Sequence, residues 1–203
     1  MSSFREHLKM QRWDDHRYYH HSLINQSLHL VSAISFVCAY IIAFKDLAIA
    51  SLIGWLVAMT SRQAGHLFFE PKGYDEVNQA THEYKEEVKV GYNLRRKIVL
   101  LTIWVISPLM LFLDPTLLGT VAPATTPGEF LRHLGYMWLI LGVGGLLFRT
   151  IHLFFIGSVQ TGLVWATKIL TDPFHDIKLY YRAPAYLLRG KLIDDAILEG
   201  RPH

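Results

Sequence analysis

Hydrophobic positions gather into four long runs, from about Leu28 to Phe44, Leu47 to Met59, Ile98 to Leu113 and Leu134 to Leu170. A helix needs about 20 mostly apolar residues to cross a hydrocarbon core of about 30 Å. The first two runs are short and only Lys45 and Asp46 part them, which predicts a helical hairpin with a tight turn. Each hairpin helix is expected to continue at its open end with a more polar turn, and His29 and His66 lie there. The third run contains Pro108 and stops at Asp114-Pro115, since proline lacks an amide donor and restricts the residue before it. The fourth run spans 37 residues, about 55 Å as a helix, and Arg149 and His152 interrupt it. Either one helix projects beyond the membrane, or the chain breaks near Gly144-Gly145 and the second piece lies at the interface; Asp172-Pro173 is expected to end it.

The pattern predicts an all-α integral membrane bundle in a single domain over residues 1–203. Transmembrane helices are expected near 23–44, 47–69, 97–114 and 134–158, with an amphipathic segment over 75–96 and a tail over 171–203. A hydrophobic fraction of 51% and mean hydropathy of +0.22 agree, being too apolar for an ordinary soluble fold. The net charge of +3 gives no reason to invoke nucleic acid. The basic residues divide by segment instead. Arg5, Lys9, Arg12 and Arg17 precede the first span, seven Lys/Arg lie from Arg62 to Lys97, and the tail carries five, whereas the loop between spans three and four has only Arg132. The positive-inside rule then sets both termini and the central segment in the cytoplasm. Four crossings satisfy this and five do not. The polar first 22 residues lack the apolar stretch of a cleavable signal, so the first span is expected to direct insertion, into a bacterial inner membrane or the endoplasmic reticulum. Cys38 is the one cysteine, which rules out an intramolecular disulfide and a thiolate metal cluster.

That topology collects His7, His16, His20, His21, His29, His66, His82 and His175 on one membrane face and leaves His133 opposite. Residues four apart share a helix face, which pairs Asn25 with His29, His66 with Glu70, and His82 with Glu86. A single imidazole near a helix end is ordinarily an interfacial residue. Several converging at membrane depth are costly unless paired, solvated or bound to metal. Imidazole with carboxylate suits iron, zinc or manganese, and the mixture with open positions favours non-heme Fe(II).

Two segments carry a resemblance. The run Tyr19-His20-His21-Ser22-Leu23-Ile24-Asn25-Gln26-Ser27-Leu28-His29 resembles the first signature of the 2-hydroxy fatty acid dioxygenase family, and Gly65-His66-Leu67-Phe68-Phe69-Glu70 is similar to its second. The resemblance covers roughly the first third of the chain. It implies an Fe(II)-dependent membrane dioxygenase that uses O₂ to shorten a 2-hydroxy fatty acid by one carbon at the cytoplasmic face. His20, His29 and His66 become the expected iron ligands, with Asn25 and Glu70 as catalytic residues in or just outside the first shell. His20 and His29 are nine residues apart, so a turn is expected just after His20; His21 can take the place of His20, being four residues from Asn25. The family commonly has Pro-Ala a few residues after its Phe-Glu, where this chain reads Pro71-Lys72-Gly73-Tyr74-Asp75. The charged segment from Thr81 to Lys89 offers His82 as a further ligand, or is a solvated surface helix. A basic group is expected to meet the acyl carboxylate, from among Arg62, Lys72, Arg95 and Arg96. Competing readings are a di-iron hydroxylase or desaturase, which His16 and His20 fit only in part, and a heme-binding cytochrome or transport subunit with His29 and His66 as axial ligands. The lipid bilayer and a fatty acyl chain are the expected partners.

Overall fold

The computed structural model describes residues 3–70, 72–76 and 78–194, which are predominantly helical and contain no β-strand. Helix α1 (Phe4–Tyr19) begins in a capping box in which Ser3 and Glu6 satisfy each other's backbone amides. Helix α2 (Leu23–Ala43) follows a two-residue corner, with Ser22 as its N-cap. Asp46 caps the return helix, accepting from the amides of Ala48 and Ile49. That helix runs as α3 (Leu47–Ile53), a π-helical stretch (Gly54–Met59) and α4 (Thr60–Phe68). Helix α5 (His82–Val88) is short, α6 spans Leu94–Leu113 and α7 spans Pro127–Ile156. Helices α8 (Val159–Tyr180) and α9 (Ala183–Leu188) complete the chain.

Four rods are long and apolar enough to cross a membrane: Leu23–Ala43, Leu47–Phe68, Leu94–Leu113 and Pro127–Ile156. Their outer faces carry large bare hydrophobes such as Phe44, Phe112, Ile140 and Phe155, as lipid contact requires and water would penalise. The amphipathic segment expected over 75–96 is helical only at α5, the third rod begins at Leu94, and the fourth begins at Pro127.

The fourth hydrophobic run does not break at Gly144-Gly145. No side chain would crowd a Cβ at either glycine, and the helix continues to Ile156, ending where Ser158 caps α8. Nor does Asp172-Pro173 end the last helix. Pro173 lies inside α8, whose packing against α1, α2 and α7 offsets the lost backbone hydrogen bond.

The π-helical stretch decides where the second rod points. Trp55 and His66 are separated by about three turns of an ideal α-helix and would share a face. The wide turns rotate the later half, so Trp55 meets Trp104 of α6 and Trp138 of α7 while His66 faces His29 of α2.

Candidate metal centre

His20, His29 and His66 meet at one end of the bundle, with ligand nitrogens all within 4.8 Å of one another. Each comes from a different local device. His20 stands at the corner just past α1, where its own amide donates to His16 O. His29 lies about two turns into α2, and His66 in the last turn of α4. All three are buried, His29 completely.

Their outer nitrogens fix the tautomers. His20 Nδ1 donates to Asp15 O at 2.9 Å, His29 Nδ1 to Asn25 O at 3.0 Å, and His66 Nδ1 to Glu70 Oε2 at 2.7 Å. A carbonyl or carboxylate only accepts, so each Nδ1 carries the proton and each Nε2 presents a bare lone pair. These lone pairs face one another, with His20 Nε2 at 3.1 Å and His66 Nε2 at 3.3 Å from His29 Nε2. Without a cation between them that contact is repulsive. Bonds of about 2.1 Å at octahedral to tetrahedral angles would separate adjacent ligand nitrogens by about 3.0–3.4 Å, which both contacts match. Burial also pushes the His20 imidazolium down to about 3, keeping the ring neutral as a ligand must be. The residues present therefore fit a metal ion, with the outer hydrogen bonds orienting each ring as is usual around such centres.

The surrounding shell is close-fitting. Asn25 is fully buried, donates Nδ2 to Tyr19 O at 2.8 Å and passes along the first turn of α2. A Cβ on Gly65 would lie 2.2 Å from Asn25 Oδ1 and 3.3 Å from His29 Cε1, so glycine before His66 is what lets the two helices approach. Glu70 binds His66 on one side and Lys89 Nζ, at 3.3 Å, on the other. Lys89 also reaches Glu86 and lies 3.6 Å over the Tyr19 ring.

The remaining histidines lie elsewhere. His21 Nε2 meets Arg17 O and stands 3.5 Å from Asp75 Oδ2, directed away from the trio, so the corner after α1 selects His20. His82 does not join the ligand group; it lines a cleft that opens on His66. His16 Nδ1 pairs with Tyr180 OH at 3.1 Å. Of the basic groups expected to meet a carboxylate, Arg62 is committed to Asp176 at 3.1 Å, and Arg95 and Arg96 are exposed; only Lys72 lines the cleft.

Sequence reasoning missed the bracing behind the trio. Lys168 of α8 pairs with Asp172 at 2.5 Å and with Asp15 of α1 at 3.0 Å, and Arg12 pairs with Asp172 at 3.2 Å. With Arg62 and Asp176 these side chains lock α1, α4 and α8 around the site. The spacing of Lys168 and Asp172 on one face of α8 was readable as an i,i+4 pair; their partners 100 or more residues away in sequence were not. Comparison with protein-family models, curated proteins and solved structures finds no match for the chain.

Proposed function

We propose that His20, His29 and His66 hold Fe(II) and that the chain is a membrane dioxygenase that oxidatively shortens 2-hydroxy fatty acids by one carbon, with O₂ as the oxidant. The observation that carries this reading is the convergence of three buried imidazoles, with the bare Nε2 atoms of His20 and His66 both at coordination spacing from that of His29. Resemblance of the two histidine segments to the dioxygenase signatures supplies the metal and the substrate class. When bound, the iron would supply Lewis acidity and access to O₂.

The chain's own residues do the positioning. Asp15 O, Asn25 O and Glu70 hold the three rings in the tautomer a metal needs, and burial keeps bulk water from the ligand nitrogens. Glu70 is itself oriented by Lys89. Three protein ligands leave coordination positions for small molecules, and the cleft beside His66 gives them a route. The abundance of basic residues in the segments bearing this end of the bundle supports a cytoplasmic orientation for it.

A heme between His29 and His66 would need the two nitrogens about 4 Å apart across an open slot; they are 3.3 Å apart with His20 beside them. A second reading is zinc with hydrolytic chemistry, favoured by a trio of imidazoles without a carboxylate ligand. Metal analysis of the detergent-purified protein, alongside O₂ uptake with 2-hydroxyhexadecanoate, separates them. About one iron per chain, lost in His66→Ala together with substrate-dependent O₂ uptake, is the expected result. Iron content unchanged in His66→Ala, or zinc with no O₂ uptake, would refute the iron dioxygenase.

A further inference from the structure

We infer that Lys97 is the carboxylate receptor of the site, binding the acid head of a long-chain acyl ligand in the cleft between α4, α5 and α6, beside the metal. The inference rests on the acyl-acid reading for the ligand's identity, but its geometry is independent of that reading.

The cleft is narrow and open to the surface, and its walls are His66, Glu70, Lys72, His82, Glu86, Lys89, Leu94 and Lys97. Its charges are unevenly matched. Glu70 is held by His66 and Lys89, while Glu86 takes Lys89 at one oxygen and the Leu94 amide, at 2.6 Å, at the other. Lys72 is exposed at the rim. Among the described residues, Lys97 has no carboxylate within ion-pair distance and no hydrogen bond. Lys89 serves both glutamates, which leaves Lys72, exposed at the rim, and the half-buried Lys97 without an ion pair. A desolvated ammonium without a partner is costly, so this wall of the cleft is built to receive an anion. His82 Nδ1, another polar atom of the cleft wall, is buried without a hydrogen-bond partner as well and offers a second contact.

The position of Lys97 selects an amphiphile over a free anion. Lys97 lies in the first turn of α6, where that helix starts a run of twenty residues able to cross the membrane, so its ammonium sits at headgroup depth. Beyond it Ile98 and Val99 are exposed on the helix surface, and α6 contacts the rest of the bundle chiefly through α7. Most of the α6 surface is left uncovered by the rest of the bundle. A single-chain acid could keep its tail in the bilayer and offer its carboxylate to Lys97, with its first carbons beside His66.

Equilibrium binding to the full-length protein in nanodiscs tests this without turnover, using hexadecanoate, hexadecanol and hexadecyl phosphate on metal-free and iron-loaded samples. Charge-assisted hydrogen bonds predict that Lys97→Met weakens hexadecanoate by about 10-fold or more in both samples. Lys97→Arg should retain most of the affinity, and hexadecanol should be unaffected. Iron content and elution volume equal to wild type show that Lys97→Met is folded. Unchanged hexadecanoate affinity in that folded variant overturns the inference. So does Lys97-dependent binding of hexadecyl phosphate with no such dependence for hexadecanoate, which would mark a phosphate-headgroup site. Lys97-dependent hexadecanoate binding without consumption of 2-hydroxyhexadecanoate upholds the receptor and refutes the dioxygenase. Consumption with an unchanged KM in Lys97→Met does the reverse.

Discussion

At the Asp46 end of the bundle, Trp55, Trp104 and Trp138 stack with ring centroids 5.5–6.5 Å apart around Leu111 and Leu134. At the opposite end the interior holds His20, His29, Asn25, Lys85, Lys168, Asp172 and Asp176. The first end is held by apolar contact with a few hydrogen bonds, such as Trp138 Nε1 to Ser107 Oγ at 2.8 Å. The second is held by charges and lone pairs, each of which needs a particular partner. Apolar packing tolerates changes of shape at modest cost, whereas a buried polar network loses much of its stability when one member goes. A chain under selection only for spanning a bilayer has no use for the second kind of interior. Its concentration at one end makes that end the candidate functional site.

Substitutions should therefore act very differently at the two ends. The largest effect is expected from Gly65→Val, because a Cβ alone would lie 2.2 Å from Asn25 Oδ1; helices α2 and α4 cannot then close. Metal binding should be abolished while helical content by circular dichroism persists, and a Gly65→Val protein with full metal content would show that the close approach is dispensable. Glu70→Ala comes next. It removes the acceptor that orients His66, and such changes typically weaken metal binding by about 10–100-fold, measurable by competition with a chelator. The smallest effect is expected from Trp138→Phe at the other end. Loss of the Ser107 contact should cost about 1–2 kcal/mol of stability, seen as a lower unfolding temperature in detergent, with metal affinity unchanged. If Trp138→Phe instead emptied the metal site, the two ends would not be the independent regions described here.

Much of the helical frame is legible along the chain because bilayer-spanning helices are encoded locally. A run of apolar residues, the Lys45-Asp46 interruption and the Asp114-Pro115 stop each act on their own neighbourhood. The corner after His20 is also readable, since Ser22 is a strong N-cap residue. Less legible was the fourth run, where adjacent glycines suggested a break. Glycine lowers helix propensity by about 1 kcal/mol, too little to interrupt a long apolar helix, and Ser158 sets the end instead.

The sequence by itself determined that the chain is a helical membrane bundle and that histidines crowd one end of it, because periodicity and hydropathy are properties of neighbouring residues. Only the tertiary structure decided which histidines meet. The choice of His20 over His21 depends on the backbone turn after α1 and on the carbonyl of Asp15, an acceptor that every residue type provides. The facing of His66 toward His29 depends on the wide turns between Gly54 and Met59, and the exposure of Lys97 to the cleft depends on where α6 starts relative to α4. These are rotations and long-range distances, and a linear pattern of residue types does not encode them one position at a time.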